Sequence, residues 1–215
     1  MAESGSQTLA RGLTALALIG ESETPVTVAF LASALGVHRS MAYRLVRTLE
    51  DEGFVTRSGD GGLELGARIV ALARNVSRDL REAAGPELSL LADQFTMTAF
   101  VVTYDGQQAV TLSSAEPRNA SAAVAQRPGN RHPIDRGAPG RVIRSQLDPV
   151  AFPPAPFETS HDELLPGLSS VAVPLSTGSG SPASLAVLYL TREIDTPRVV
   201  EALAQSARRI EARLG

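Results

Sequence analysis

Three helix-length apolar stripes and a short hairpin pattern occupy the first 66 residues of this 215-residue chain. Each stripe repeats apolar residues at the three- and four-residue spacing of one helix face, and a glycine follows it. The stripes are residues 7–19, 27–35 and 38–52, and the glycines are Gly20, Gly36 and Gly53. Two short strand patterns then flank a polar turn at 58–62. Three helices followed by a hairpin predict a winged helix-turn-helix domain over residues 1–66.

The rest of the chain predicts a helix and then an α+β domain. Residues 67–85 have helical apolar spacing with arginines outside it, which predicts a linker helix that ends at Gly85-Pro86. Residues 86–215 combine strand and helix patterns and predict an antiparallel sheet with helices. The predicted strands are 96–104, 108–113, 120–126, 169–175 and 183–190, and the helices are 87–95, 138–147 and 196–214. Four prolines within 148–156 exclude regular helix or interior strand there.

Composition narrows the classes of function. A net charge of −3 disfavours a protein that coats nucleic acid without regard to sequence. The chain has no cysteine, and His38, His132 and His161 are too far apart for a local metal motif, so we expect no disulfide, metal or cofactor. No apolar run approaches the ~20 residues that cross a bilayer, and no basic segment opens the chain. We therefore expect a cytoplasmic protein without membrane contact.

The third stripe contains most of the candidate DNA-binding residues. Opposite its apolar face, Arg39, Tyr43 and Arg47 lie on one line, four residues apart, whereas acidic residues occur only at the far end. A recognition helix inserts its N-terminal part into the major groove, where such side chains meet bases and phosphates. The alternative is a solvated amphipathic helix with ordinary surface arginines. The predicted contacts to double-stranded operator DNA are Thr27, His38, Arg39, Ser40, Tyr43, Arg44, Arg47 and Arg57, with Thr27 and Arg57 at phosphates.

Ordered blocks of the sequence resemble one known family. The first block runs from Leu31-Ala32 through Leu35-Gly36-Val37-His38-Arg39-Ser40 and Tyr43-Arg44-Leu45-Val46 to Gly53-Phe54-Val55. The later ones are Pro86-Glu87-Leu88 with Leu91-Ala92, residues 129–141 and residues 169–174. They are similar to the winged helix and the effector domain of the isocitrate lyase regulator (IclR) family. The resemblance implies a GAF/profilin-like effector-binding domain and a homodimer or homotetramer. It also implies that the protein represses or activates a nearby operon in response to a small organic, often carboxylate-bearing, effector.

The predicted effector site lies at the motif Arg136-Gly137-Ala138-Pro139-Gly140-Arg141. Small residues before a helix let a ligand approach the backbone, and the free amides of a helix N-terminus favour an anion. In similar regulators the first two amides bind the effector's carboxylate, and these match Gly137 and Ala138. Val187 and Tyr189 stand where serines are usual, which favours a more apolar or aromatic ligand. The predicted ligand-binding residues are Gly137, Ala138, Gly140, Asp162, Ser170, Val187 and Tyr189. The alternative is a glycine-rich turn without a ligand.

The proline-rich segment 148–156 replaces most of a helical segment that relatives have, so the effector domain is shortened. Three interpretations stay open: a regulator controlled by an effector, a regulator that acts by operator occupancy alone, and a DNA-binding module fused to a small enzyme. The chain has no G-x-S-x-G elbow, no cysteine nucleophile and no cluster of metal-ligand residue types. We therefore predict no catalytic residues and no enzyme activity.

Overall fold

The computed structural model describes residues 5–119, 124–178 and 180–215. The chain forms two compact units, Met1–Val76 and Ser77–Gly215. The first unit contains the predicted winged helix-turn-helix and the second contains an antiparallel sheet with helices, so the predicted α+β fold class is confirmed.

The first unit is a three-helix core with a two-stranded wing. Its elements are α1 (Gln7–Glu21), α2 (Val28–Ala34), α3 (Arg39–Asp51), β1 (Val55–Arg57), β2 (Leu63–Leu65) and α4 (Arg68–Ala73). The side chains of Ser6, Thr27 and His38 accept hydrogen bonds from backbone amides at the starts of α1, α2 and α3. The buried core comes from all three helices and from the wing, and it includes Ala15, Ile19, Leu31, Val46 and Leu63. This packing fixes α3 by its apolar side.

The segment between the two predicted domains differs from the single linker helix that the sequence suggests. The first unit ends after the short α4, the boundary between the units falls between Val76 and Ser77 in the chain, and α5 then runs from Arg78 to Phe95. Pro86 lies inside α5, so the prediction of a new helix at this proline is wrong. Proline removes one helical hydrogen bond. The helix continues past it because one buried face, with Leu80, Ala84, Leu88 and Leu91, spans the proline.

The second unit is a six-stranded antiparallel sheet. Its strands are β3 (Thr98–Tyr104), β4 (Ala109–Ala115), β5 (Arg131–His132), β6 (Glu158–His161), β7 (Leu168–Leu175) and β8 (Ala183–Leu190), in the spatial order β5-β4-β3-β8-β7-β6. The edge strand β6 was not predicted, because its sequence Glu-Thr-Ser-His lacks an apolar run. Of the predicted strand 120–126, residues 120–123 lie outside the described residues, and 124–126 form no strand.

Helices cover both faces of this sheet. On one face α5 and α7 (Thr196–Leu214) pack against strand residues that include Val101, Leu185 and Val187. On the other face α6 (Ala138–Leu147) packs through Val142 and Ile143 on residues that include Phe100 and Ala186. The proline-rich segment after α6 has no helix or strand, as predicted. Its Phe152 ring lies 4.0 Å from the Arg144 guanidinium carbon, so the segment folds back against α6.

Candidate functional site

The predicted DNA-binding face of α3 is free of the protein core. Its predicted residues are all exposed, namely His38, Arg39, Ser40, Tyr43, Arg44 and Arg47. Ala42, Leu45 and Val46 are buried on the opposite side of the helix. The amphipathic pattern therefore orients the helix as the sequence predicts, with its cations outward.

Two pairs of side chains order the start of this face. The Nδ1 atom of His38 accepts a hydrogen bond from the Ser40 amide at 3.3 Å, which caps the helix, and lies 2.9 Å from Ser40 Oγ. One turn along, the Arg39 guanidinium lies 5.7 Å from the Tyr43 ring centroid. A cation held on an aromatic face loses less side-chain freedom when it binds DNA.

Arg44 and Arg47 are exposed cations of α3 without a close ion pair in the described part of the chain. The structure gives the Arg44 side chain no ion pair within the described residues, and it is exposed. Arg47 lies 3.9 Å from Asp51, but the two side chains are 84% and 72% exposed. An exposed pair at that distance contributes little to stability. Both guanidinium groups are therefore able to bind phosphates or guanine edges.

The two predicted phosphate contacts outside α3 are placed differently. Thr27 is exposed and caps α2, because its Oγ1 accepts a hydrogen bond from the Phe30 amide at 3.1 Å. Arg57 in the wing forms a bidentate pair with Glu50, with Nε–Oε1 2.7 Å and NH2–Oε2 3.3 Å. A DNA contact by Arg57 requires that this pair be shared or broken, whereas Thr27 needs no such change.

A cavity of about 140 Å³ lies on the α6 side of the sheet in the second unit. It is lined by Phe100, Val124, Ala125, Gln126, Asn130, His132, Pro139, Ser160, Leu164, Leu165, Leu168, Ser169, Ser170 and Leu188. Its volume is close to that of an engineered cavity of roughly 150 Å³ that holds benzene. The space therefore fits a molecule with one six-membered ring.

The polar groups in the cavity wall are uncharged. Ser160 Oγ and Ser170 Oγ lie 2.6 Å apart. The Nδ1 atom of His132 lies 3.0 Å from the Pro133 carbonyl oxygen, so we assign the proton to Nδ1 and leave Nε2 as an acceptor. Burial lowers the pKa of His132, which favours the neutral ring. The wall therefore offers hydroxyl, amide and imidazole groups between apolar residues.

The structure brings only part of the predicted ligand-binding set to this cavity. Ser170 lies in its wall. Val187 and Tyr189 are buried on the opposite face of the sheet with α5 and α7, so their assignment to the pocket is wrong. Leu188, one residue away, lines the cavity instead. Successive residues of a strand point to opposite faces, so an error of one position exchanges the faces.

The remaining predicted ligand residues lie at the start of α6 and in the loop before β7. Gly137, Ala138 and Gly140 are buried at the first turn of α6. A Cβ atom on Gly140 would lie 2.9 Å from the Pro133 carbonyl oxygen, so this glycine permits close backbone packing. Asp162 does not line the cavity, because its Oδ1 accepts a hydrogen bond from the Gly167 amide at 2.6 Å and closes the turn.

The acidic residue that follows Asp162 was missed by the sequence prediction. Glu163 Oε2 accepts hydrogen bonds from the Gly137 amide at 2.8 Å and from Arg141 NH1 at 2.5 Å. Arg141 also donates through Nε to Glu158 at 2.9 Å and through NH2 to the Thr159 carbonyl oxygen. The Glu163 carboxylate therefore binds the Gly137 amide, which the sequence analysis assigns to a ligand. We call Arg141, Glu158 and Glu163 the acidic clamp.

The acidic clamp predicts a pH dependence of stability. Burial alone would raise the pKa of Glu163, but hydrogen bonds from Arg141 and Gly137, together with the charges of Arg141 and Arg136, hold it below its ordinary value of 4.5. The unfolded chain then binds more protons than the folded one, so this stabilisation is present above about pH 4.5 and is lost as the pH falls through the lower, folded value.

We expect the free energy of unfolding of the wild type to fall more steeply than that of Glu163→Gln between about pH 6 and pH 3. Urea titrations at several pH values measure both curves. Asp105, whose pKa burial alone would raise but hydrogen bonds from the Gln108 and Gln107 amides lower, contributes equally to both proteins. Parallel curves would show that the Glu163 carboxylate is not held in this way.

The chain combines a winged helix-turn-helix that has an outward arginine face with an α+β domain that has a small cavity, a combination typical of transcriptional regulators. Residues 8–59 match the IclR helix-turn-helix domain. Residues 8–59 are thus an IclR helix-turn-helix domain, and the chain is similar to IclR-family transcriptional regulators along nearly its whole length.

Similar proteins agree with this assignment. The HTH-type transcriptional regulator XynR of Escherichia coli is 26% identical over 190 residues, which span 87% of this chain and 71% of XynR. Across further curated relatives the match spans 49% to 62% of their length. The curated relatives and structural neighbours are transcriptional regulators, which confirms the prediction that the chain is not an enzyme.

Two solved structures show how far the fold is shared. An IclR transcriptional regulator from Alicyclobacillus acidocaldarius superposes with a TM-score of 0.85 at 26% identity, over 99% of this chain and 100% of that chain. An IclR homolog from Microbacterium hydrocarbonoxydans, complexed with 4-hydroxybenzoate, has a TM-score of 0.79 at 18% identity, over 97% of this chain and 99% of that chain. In the described residues, no helix combines the length and apolar character needed to cross a membrane.

Proposed function

We propose that this protein is a sequence-specific regulator that binds operator DNA through α3 and responds to a small organic effector in the second unit. The observation that supports it most is the exposed arginine face of α3 inside an IclR helix-turn-helix domain. The acidic residues at the end of α3 lie away from its N-terminal part, so that part enters the major groove with the fewest like-charge contacts to phosphates.

We further propose that the protein acts as a homodimer, or as a tetramer of two dimers. Two recognition helices then read half-sites about 34 Å apart, one helical turn of DNA, on a partly palindromic operator. Binding there represses or activates the neighbouring genes. We also propose a cytoplasmic location, because the proposed partner is operator DNA.

Selection of duplexes from a random pool tests this proposal. We expect the full chain to enrich one partly palindromic sequence with half-site centres about 10–10.5 base pairs apart, or a multiple of that spacing. A scrambled duplex of the same composition should bind roughly 10³-fold or more weakly. Failure to enrich any sequence, by a protein that unfolds cooperatively, would contradict sequence-specific recognition.

For the effector, the cavity indicates the size of the ligand and one similar solved structure indicates a chemical type. The Microbacterium homolog was crystallised with 4-hydroxybenzoate, a one-ring carboxylate. A ring of that size fits about 140 Å³. We therefore propose a one-ring organic effector that makes hydrogen bonds with Ser170, Ser160 and His132.

One observation favours a second candidate, a regulator that acts by operator occupancy alone. The Gly137 amide already donates a hydrogen bond to Glu163, so a side chain of the protein fills the position where an effector's carboxylate is predicted to bind. Thermal-shift screening with one-ring acids, amides and alcohols separates the two candidates. A ligand that raises the melting temperature and changes operator affinity supports the effector-controlled regulator, whereas the absence of any such ligand supports occupancy alone.

A further inference from the structure

The acidic clamp places a carboxylate of the chain at the N-terminus of α6, beside the cavity. Glu163 Oε2 is 2.8 Å from the Gly137 amide nitrogen and 2.5 Å from Arg141 NH1. These are charge-assisted hydrogen bonds of the kind that a bound carboxylate makes with a helix N-terminus and an arginine. The position is thus chemically suited to an anion, and the anion is part of the protein.

The clamp leaves no uncompensated positive charge for a second anion. All three nitrogens of the Arg141 guanidinium are engaged, with Glu158, Glu163 and the Thr159 carbonyl oxygen. One guanidinium therefore faces two carboxylates. The exposed Arg136 acts on Glu163 only at longer range. Even when its charge is included, the two arginines only balance the two carboxylates of Glu158 and Glu163. An incoming carboxylate meets like charge here rather than a free cation.

The loop that bears Glu163 also forms a wall of the cavity. Leu164 and Leu165 line the cavity, and Leu164 Cδ1 lies 3.0 Å from where a Cβ atom on Gly137 would stand. The Asp162 side chain and the Gly167 amide close this loop with a 2.6 Å hydrogen bond. Glu163 is therefore tethered beside the amide it occupies. A free carboxylate has to compete with a group whose effective concentration is roughly millimolar or higher.

The described residues that line the cavity include no carboxylate, arginine or charged histidine. Their polar groups are serine hydroxyls, the amides of Gln126 and Asn130, and the neutral His132 ring. A buried charge on a ligand would therefore have no partner of opposite sign among them. Uncharged hydroxyl or amide groups on a ligand would find both donors and acceptors.

We propose that the Glu163 carboxylate occupies the position that an effector carboxylate would otherwise take, and that the cavity binds an uncharged one-ring ligand with hydroxyl or amide groups. This inference rests on the proposed effector-controlled regulator and changes the class of ligand from a carboxylic acid to a neutral molecule. The Gly137 amide then serves to hold the loop closed over the ligand, and the serine and histidine groups provide its hydrogen bonds.

Acetate tests whether the carboxylate position is filled by the chain. The full-length wild type, Glu163→Ala and the control Glu193→Ala, which removes an exposed acid elsewhere in the second unit, are melted with increasing sodium acetate against matched sodium chloride. We expect a saturable acetate-dependent rise in melting temperature for Glu163→Ala alone. Equal stabilisation of the wild type would show that the position is open, and no stabilisation of Glu163→Ala would show that it is not an anion site; either result overturns the proposal.

A matched ligand pair tests the class of ligand, and it does not depend on the alanine variant folding. The probes are 4-hydroxybenzamide and 4-hydroxybenzoate, which have similar shapes and differ in charge. We expect the wild type to bind the amide at least about ten-fold more tightly, and Glu163→Gln to reduce this preference by about ten-fold. A wild type that prefers the acid, or a ratio that the substitution leaves unchanged, overturns the proposal.

Operator binding is measured on the same preparations. The melting and ligand experiments use no DNA, so their results stand if operator binding fails. Loss of operator binding by the wild type would contradict the proposed function without bearing on Glu163. Conversely, an operator-binding wild type with an open carboxylate position would contradict this inference alone.

Discussion

Alanine at Arg44 or at Arg47 is expected to weaken operator binding by about 1–3 kcal/mol each, which is roughly 5- to 150-fold in the dissociation constant. Both side chains lie on the outward face of α3, and neither stabilises the fold through a buried contact. Their removal should therefore leave the free energy of unfolding within about 0.5 kcal/mol of the wild type. Gel-shift titrations with the selected duplex measure the affinity, and thermal melts measure the stability.

The control for this prediction removes the same charge from a surface that the proposal does not use. Arg208 is exposed on α7 in the second unit, and Arg208→Ala lowers the net charge equally. We expect its operator affinity to stay within about two-fold of the wild type, because the distant charge acts only through screened electrostatics. If Arg208→Ala weakened binding as much as Arg44→Ala, general charge rather than the α3 face would explain the affinity.

Alanine at Gly66 is expected to destabilise the winged helix by about 1–3 kcal/mol or more. Gly66 is buried where the wing returns to the helices, and its amide donates a hydrogen bond to the Phe54 carbonyl oxygen at 2.7 Å. A Cβ atom there would overlap the Gly53 carbonyl oxygen and lie 2.9 Å from the Gly53 carbonyl carbon. The overlap is with backbone, so a side-chain rotation cannot relieve it.

Gly59 provides the matched control within the same wing. A Cβ atom on Gly59 would contact nothing within 4 Å, and its backbone φ is one that other residues adopt. We expect Gly59→Ala to change the free energy of unfolding by no more than about 0.5 kcal/mol. Denaturant titration of both variants makes the comparison, and equal stabilities would show that the wing does not pack as closely at Gly66 as described.

Sequence patterns correctly predicted the elements whose structure depends on residues that are close together in the chain. The apolar stripe of α3 and the glycine after it are properties of a few neighbouring residues, so both the helix and its outward face could be predicted. The proline at 86 misled the prediction for the opposite reason. A proline lowers helix stability locally, but the buried face of α5 on the sheet compensates, and this packing involves distant residues.

The effector site depended more on long-range structure. Strand β8 has apolar residues on both faces, so alternation did not indicate that Leu188, rather than Val187 and Tyr189, faces the cavity. Glu163 reaches an amide 26 residues earlier in the chain. No spacing rule predicts such a pairing, because the packing of α6 beside the β6–β7 loop sets it. The glycine motif at residues 136–141 was predicted as a ligand site, but its hydrogen bond with Glu163 was not predicted.

The central claim is that the arginine face of α3 holds operator DNA, and the salt dependence of operator affinity tests it most directly. The affinities of the wild type and of the double variant that carries both Arg44→Ala and Arg47→Ala are measured for the selected duplex across a range of salt concentrations. We predict weaker binding by the variant at every salt concentration, with a slope of log affinity against log salt that is shallower by about one for each lost phosphate contact. Superimposable lines for the two proteins, at equal thermal stability, would contradict the claim.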